Sequence, residues 1–122
     1  MILLHAYLNP NQRDIIDSNF EIEHIFPRVW QETNYNGWNH KDAKVYLERY
    51  GNKVAIGKKI NIQAGNGYFG KKKKIYEGSS IADVKDLTKH QSADWVKTDI
   101  EARERLFLES IVGFFYTNLN KK

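Results

Sequence analysis

Glu23 and His24 stand side by side in the run Glu21-Ile22-Glu23-His24-Ile25-Phe26-Pro27. Asn52 comes directly after Gly51, and Asn61 lies nine residues further on. These supply a base, a hard oxygen ligand, an amide able to orient the base, and a second oxygen ligand. Hydrolysis of a phosphodiester with one metal ion needs that set. An imidazole with an ordinary pKa of about 6.5 can take a proton from water at neutral pH. A divalent ion can neutralise the phosphate and the leaving oxygen. Neighbouring side chains of a strand point to opposite faces. Glu23 and His24 therefore meet one phosphate only if the strand is irregular, or if base and metal approach from different sides. Pro27 is where irregularity is expected.

Taken singly, each residue has an ordinary explanation. A Glu-His pair is common surface, and Gly-Asn after a helix is usually a cap. Asn61 alone carries almost no signal. His5, His40 and His90 lie in helix or loop contexts and are read as structural or solvated. The chain has no cysteine, which removes disulfide frameworks and cysteine-type zinc sites. Two oxygen ligands without cysteine favour Mg²⁺ or Mn²⁺ over Zn²⁺.

Charge adds a second clue. The net charge is +4. Residues 51–74 hold 7 lysines and no acid, whereas residues 1–50 carry 5 basic and 7 acidic side chains. A local positive field of this kind suits a polyanion such as nucleic acid. The 122 residues fit one domain with a single modest core, and 16 aromatic residues argue against disorder. No stretch has the roughly 18–20 apolar residues of a membrane helix. Residues 1–6 lack the basic leader of a signal peptide. The chain is read as cytoplasmic.

The elements that must position these residues follow from pattern and punctuation. Residues 2–8 read as helix, stopped at Asn9-Pro10-Asn11. An opening in mid-helix is expected of a piece of a longer protein. Asp17-Ser18-Asn19 reads as a turn and residues 20–26 as a strand ended by Pro27. Asn34-Tyr35-Asn36-Gly37 is a second turn. Asn39 caps a helix expected to run to Tyr50 and end at Gly51, burying Ala43, Tyr46, Leu47 and Tyr50. Residues 53–56 read as a strand, residues 60–64 as a helical turn, and residues 68–77 as helix weakened by Gly70. Thr98 and Glu101 match a capping box opening a helix over residues 99–118. Its stripe is Ile100, Leu106 or Phe107, Ile111, Phe114 and Leu119, with Trp95 packed near its start.

Jointly, the motif resembles the HNH (ββα-metal) nuclease superfamily: acid-His-Ile-x-Pro, Asn at the start of the second strand, then Asn nine residues later. It is most similar to the C-terminal HNH domain of GmrSD-type restriction endonucleases. The positions that carry this likeness run from Ile22 to Pro27, then Gly51-Asn52, Asn61, Asn66, Phe69, Lys72 or Lys73, Tyr76 and Ser79, with Trp95 and the helix start at residues 100–103. The likeness covers about residues 15–115. It implies an α+β fold: a ββα-metal core of two short antiparallel strands and a helix, surrounded by additional helices. Residues 1–122 would be a single HNH-type domain, the C-terminal part of a longer protein.

The resemblance implies His24 as general base, Asn52 as the residue that orients it, and Glu23 and Asn61 as ligands of Mg²⁺ or Mn²⁺. It also sets Asn66 and the run Lys71, Lys72, Lys73 and Lys74 near substrate phosphates. Lys53, Lys58 and Lys59 complete the expected DNA grip, which gives affinity without reading sequence. Many HNH nucleases have Asp at the place of Glu23 and His at the place of Asn61. The extra methylene of Glu can shift metal geometry toward Mn²⁺. The implied function is metal-dependent cleavage or nicking of DNA in a restriction or defence system. The alternatives are a nucleic-acid-binding module without independent catalysis, or a ribonuclease of the same fold. Full-length family members also carry an N-terminal nucleotide-hydrolysing domain. Gly65-Asn66-Gly67 lacks the phosphate-loop pattern with its Lys-Ser/Thr, so no nucleotide site is read here. No dimerisation signature is read beyond apolar helix faces.

Overall fold

The apolar run after Asn19 forms a short strand, β1 (Phe20–His24), which stops before Pro27 removes a backbone donor. It pairs antiparallel with β2 (Lys53–Gly57), with Glu23 opposite Val54 and His24 opposite Lys53. This computed structural model describes residues 20–30, 35 and 37–119. The helix read at residues 2–8 and the turn at Asp17-Ser18-Asn19 lie outside them. Of the second turn, Asn34 and Asn36 also lie outside, while Gly37 takes a φ of 83°, the left-handed region that favours glycine.

β2 runs directly into α2 (Lys58–Ala64), so β1, β2 and α2 make a ββα unit. Around it lie α1 (His40–Tyr46), α3 (Phe69–Tyr76), α4 (Ala82–Leu87) and the long α5 (Lys97–Leu119). The fold is α+β, with a two-stranded sheet among helices. Its core joins Ile25, Phe26 and Trp38 to Val54, Ile56, Phe69, Tyr76, Val84, Trp95 and Ile100. Phe26 stacks on Trp38 at 4.2 Å between centroids, and Trp38 Nε1 donates to the Trp95 carbonyl at 2.6 Å. The tryptophan thus buries its apolar body while its one polar group is satisfied.

Asn39 caps α1 as expected, its Oδ1 accepting from the Asp42 amide at 2.8 Å. The helix then ends at Tyr46, earlier than the periodicity suggests. The chain passes through a tight 3₁₀ turn at Tyr50–Asn52. Gly51 is not a left-handed helix terminator, since Gly37 and Gly65 are the positive-φ glycines among the described residues. It lets the turn press against α5: a Cβ on Gly51 would lie 2.0 Å from the Ile100 carbonyl oxygen. Tyr50 is accordingly turned out of the core and stacks on Phe107 at 5.4 Å.

The capping box on Thr98 and Glu101 does not form. Asp99 accepts from the Val96 amide at 2.9 Å, and α5 opens at Lys97. Glu101 instead accepts from the Tyr46 hydroxyl. The tertiary contact with α1 claims the carboxylate that the local pattern assigns to the cap. α5 buries Ile100, Phe107 and Ile111. Leu106 is exposed because Phe107 takes the inward face of that turn, and Leu119 is exposed at the far end of α5, beyond the last buried residue Ile111. α4 has no counterpart in the sequence reading; it buries Val84 and Leu87.

Candidate active site

His24 is the last residue of β1, and three features hold the backbone that follows it. The Ile25 amide donates to the Asn52 carbonyl at 2.9 Å. The Asn52 side chain clasps Phe26 from both ends: Oδ1 accepts from the Phe26 amide at 2.7 Å, and Nδ2 donates to the Phe26 carbonyl at 3.0 Å. Nδ2 also donates to the Leu47 carbonyl at 3.0 Å, so one buried amide joins the end of α1 to the loop after β1. From below, Lys72 Nζ donates to the carbonyls of His24 at 2.8 Å and Ile25 at 3.2 Å.

Asn52 is therefore beside the histidine segment, but its side-chain hydrogen bonds go to the backbone of Phe26 and Leu47 rather than to the imidazole. The group on the ring is one that sequence reading missed. Glu48 Oε1 lies 3.1 Å from His24 Nε2. Glu48 also reaches Lys53 Nζ at 3.0 Å and Arg28 Nε at 3.6 Å. These side chains border one cleft of about 490 Å³, lined also by Ile22, Glu23, Pro27, Asn61, Gly65 and Asn66. Partial burial holds the His24 imidazole below its ordinary 6.5, while the Glu48 carboxylate pulls it back up. The ring is thus neutral at pH 7, the form that accepts a proton. The Lys53 ammonium, ahead of the other causes, holds the Glu48 carboxyl below its usual range.

β1 stays regular through His24, so Glu23 and His24 point to opposite faces. The Glu23 carboxylate turns inward, and the residue is only 4% exposed. Its Oε2 accepts from the Tyr76 hydroxyl at 2.9 Å and lies 3.4 Å from Lys72 Nζ. Burial pushes the Glu23 carboxyl up and the Lys72 ammonium down, and their mutual attraction opposes both shifts. Asn61, on α2, lines the cleft, and its Nδ2 donates to Glu21 Oε2. Glu21 and Glu23 share one face of β1, two residues apart.

These donors fit a small hard cation. Asn61 spends its NH₂ on Glu21, which leaves its carbonyl oxygen as an available donor, and the Tyr76 and Lys72 contacts of Glu23 fall on a single oxygen of a carboxylate that the His24 backbone also bonds. Mg²⁺ and Mn²⁺ take few protein oxygens and keep water and substrate as the rest of their shell. Among the described residues no three His, Cys, Asp or Glu side chains gather as a dedicated cage.

The lysines divide. Lys58, Lys59, Lys71 and Lys74 are exposed, Asn66 is exposed beside the cleft, and Lys53 lines it. Lys72 and Lys73 are placed differently from the exposed lysines of the run. Lys72 is 0% exposed beneath β1, and Lys73 Nζ donates to the carbonyls of His90 at 2.8 Å and Ser92 at 2.9 Å. A helix turns about 100° per residue, so four consecutive lysines cannot share one face. The Asn66 carbonyl accepts from the Tyr35 hydroxyl at 2.7 Å, which ties the cleft rim to the aromatic core.

The remaining described histidines sit in aromatic settings. His40 lies 4.8 Å from the Trp30 ring, and His90 packs between Phe69 and Trp95. His5 lies outside the described residues. Glu48 and Arg28 carried no motif signal; the acid-free stretch beginning at Gly51 was the nearest hint of a charge boundary there. No helix of the described residues is long and apolar enough to cross a membrane.

Residues 1–110 match the family described as GmrSD restriction endonucleases, C-terminal domain. No curated protein and no solved structure matches the chain. The match takes in both strands of the ββα unit, the cleft and α5 as far as residue 110. The chain thus belongs to the family of GmrSD restriction endonuclease C-terminal domains.

Proposed function

We propose that this domain is an HNH-type, metal-dependent endonuclease that hydrolyses phosphodiester bonds of DNA within a restriction system. One observation carries the proposal. The partly buried His24 lines the same cleft as Glu23 and Asn61. His24 takes the proton of the attacking water as its oxygen bonds to phosphorus, and the bond to the 3′ oxygen breaks. Asn52 and Lys72 hold the backbone from His24 to Phe26, so the ring is presented from a fixed position. Glu23 and Asn61 are the residues that would hold Mg²⁺ or Mn²⁺. When bound, such an ion supplies charge neutralisation at the phosphate and at the departing oxygen. Lys53, Lys58, Lys59, Lys71, Lys74 and Asn66 are the groups for the DNA backbone. In this reading residues 1–122 act as one catalytic domain in the cytoplasm. An N-terminal nucleotide-hydrolysing domain or subunit is the partner that the family implies.

A rival reading, DNA binding without independent catalysis, draws on the engagement of Glu23 by Lys72 and Tyr76. Supercoiled plasmid incubated with the domain and Mg²⁺ or Mn²⁺ separates the two. Nicked or linear product that His24→Ala abolishes supports the nuclease. Undiminished cleavage by His24→Ala would sink the assignment, and binding without cleavage at any metal concentration favours the rival. Preference for single-stranded RNA over duplex DNA would move the activity to a ribonuclease.

A further inference from the structure

Glu48 is an odd residue to find on the base. A carboxylate that serves to orient a catalytic histidine is usually buried and held by further hydrogen bonds. The Glu48 side chain is 55% exposed, and its other partners are cations, Lys53 Nζ at 3.0 Å and Arg28 Nε at 3.6 Å. Its backbone needs no help from these contacts. The neighbouring Leu47 carbonyl is fixed by Asn52, and Arg49 is fixed by its ion pair with Glu104. Rotation of one side chain would withdraw the carboxylate without disturbing the turn.

We propose that Arg28 and Lys53 form the seat of the scissile phosphodiester, and that Glu48 fills this seat in the DNA-free protein and leaves when DNA binds. The inference rests on the nuclease reading above and adds two things to it: Arg28 as a substrate-binding residue, and Glu48 as an internal occupant. A phosphodiester carries one negative charge, as a carboxylate does, so the exchange leaves the charge of the cluster unchanged. Arginine is well matched to phosphate oxygens, which it can take two at a time, and lysine serves as a point charge beside it. The same displacement uncovers His24 Nε2 next to the phosphate. Glu48 thus masks the base and its substrate site together until DNA competes for the two cations.

The test is binding of a short fluorescein-labelled duplex followed by anisotropy in EDTA, where cleavage cannot intrude. Glu48→Gln is expected to bind about two- to fivefold more tightly, the range for losing one exposed ionic competitor. Arg28→Ala and Lys53→Ala are expected to bind more weakly, each lowering the slope of log K against log salt by about 1. Removing any acid from a DNA-binding protein helps somewhat, so Glu109→Gln, on α5 and outside the cleft lining, is the control. A gain for Glu48→Gln no larger than that control overturns the proposal. So does a gain that persists when Arg28 and Lys53 are both replaced by alanine, because the competition then has nothing to compete for. In Mn²⁺, Glu48→Gln and Glu48→Ala should lower KM without lowering kcat. A fall in kcat at unchanged KM overturns the proposal, since Glu48 would then be orienting His24. If the wild-type domain cuts nothing, the nuclease reading fails while the anisotropy series still decides whether a phosphate seat exists.

Discussion

Asn52→Ala tests the clasp on the histidine segment. Asn52 is 0% exposed, and its side chain makes three hydrogen bonds, to the Phe26 amide, the Phe26 carbonyl and the Leu47 carbonyl. Alanine leaves the buried Phe26 N–H without an acceptor, which costs about 1–3 kcal/mol. The Phe26 carbonyl loses its side-chain donor at roughly another 1 kcal/mol, whereas the part-buried Leu47 carbonyl can turn to water at smaller cost. The sum is about 2–4 kcal/mol, a large share of the ~5–15 kcal/mol that holds a domain together. For a chain of this size it corresponds to a fall in Tm of roughly 10–15 °C. Asn52→Asp is the sharper variant. It keeps the acceptor for the Phe26 amide but turns a carboxylate oxygen toward the two carbonyls. At pH 7 it should be at least as unstable as alanine, and it should recover as the pH falls and the carboxyl regains a proton to donate. Thermal unfolding at pH 7 and pH 5, run beside plasmid cleavage well below the melting temperature, reads both effects. If Asn52→Ala abolishes cleavage with Tm within about 1 °C of wild type, Asn52 acts on the ring or the substrate directly, and the clasp argument is wrong.

Lys72→Met removes the partner of a buried carboxylate and the donor to two carbonyls, and should cost about 3–5 kcal/mol at pH 7. Glu23 already has its carboxyl raised above the ordinary 4.5 by burial, and losing the ammonium raises it further. The stability of the variant should therefore be greatest at low pH and fall as pH rises through that range. Urea titrations should show a gap from wild type that is narrower at pH 5 than at pH 7, and an equal gap refutes the pairing. Gly51→Ala drives a Cβ to within 2.0 Å of the Ile100 carbonyl oxygen, so the turn must part from α5 at a cost of about 1–3 kcal/mol or more; an unchanged melting temperature would contradict that approach. Because burial holds the His24 ring of the DNA-free protein below 6.5, the acid limb of kcat/KM should have its midpoint below pH 6.5. A midpoint above 6.5 in the kcat/KM profile would show that the carboxylate of Glu48, not burial, dominates the ring of the free protein.

Much was legible from local chemistry. The helix cap at Asn39, the strand after Gly51-Asn52 and the break before Pro27 follow from backbone rules that act over a few residues. They appear in the structure at or within a residue or two of where pattern puts them. The motif of His24, Asn52 and Asn61 was legible too, because its spacing is set by two strands and the helix that follows them directly. The Asp99 cap, the early end of α1 and the brief α4 were not legible. In each case a contact from elsewhere in the chain takes a group that the local pattern would use differently, or the segment is too short to show a period.

The roles of the charged side chains divide along the same line. The sequence by itself determined that a histidine and oxygen-bearing side chains sit on a ββα unit that includes a lysine-rich stretch, since residue type and spacing are local properties. It could not tell Lys72 from Lys71, Lys73 or Lys74. Four identical residues differ only in helical phase, and the packing of α3 beneath β1 decides which one meets Glu23. Nor could it mark Glu48, which reads as any surface acid near the end of a helix. Its place on His24, between Arg28 and Lys53, exists only because the turn after α1 folds back against the end of β1. Charge acts through space, so what a charged residue does is decided by the groups that tertiary packing brings within a few ångströms of it.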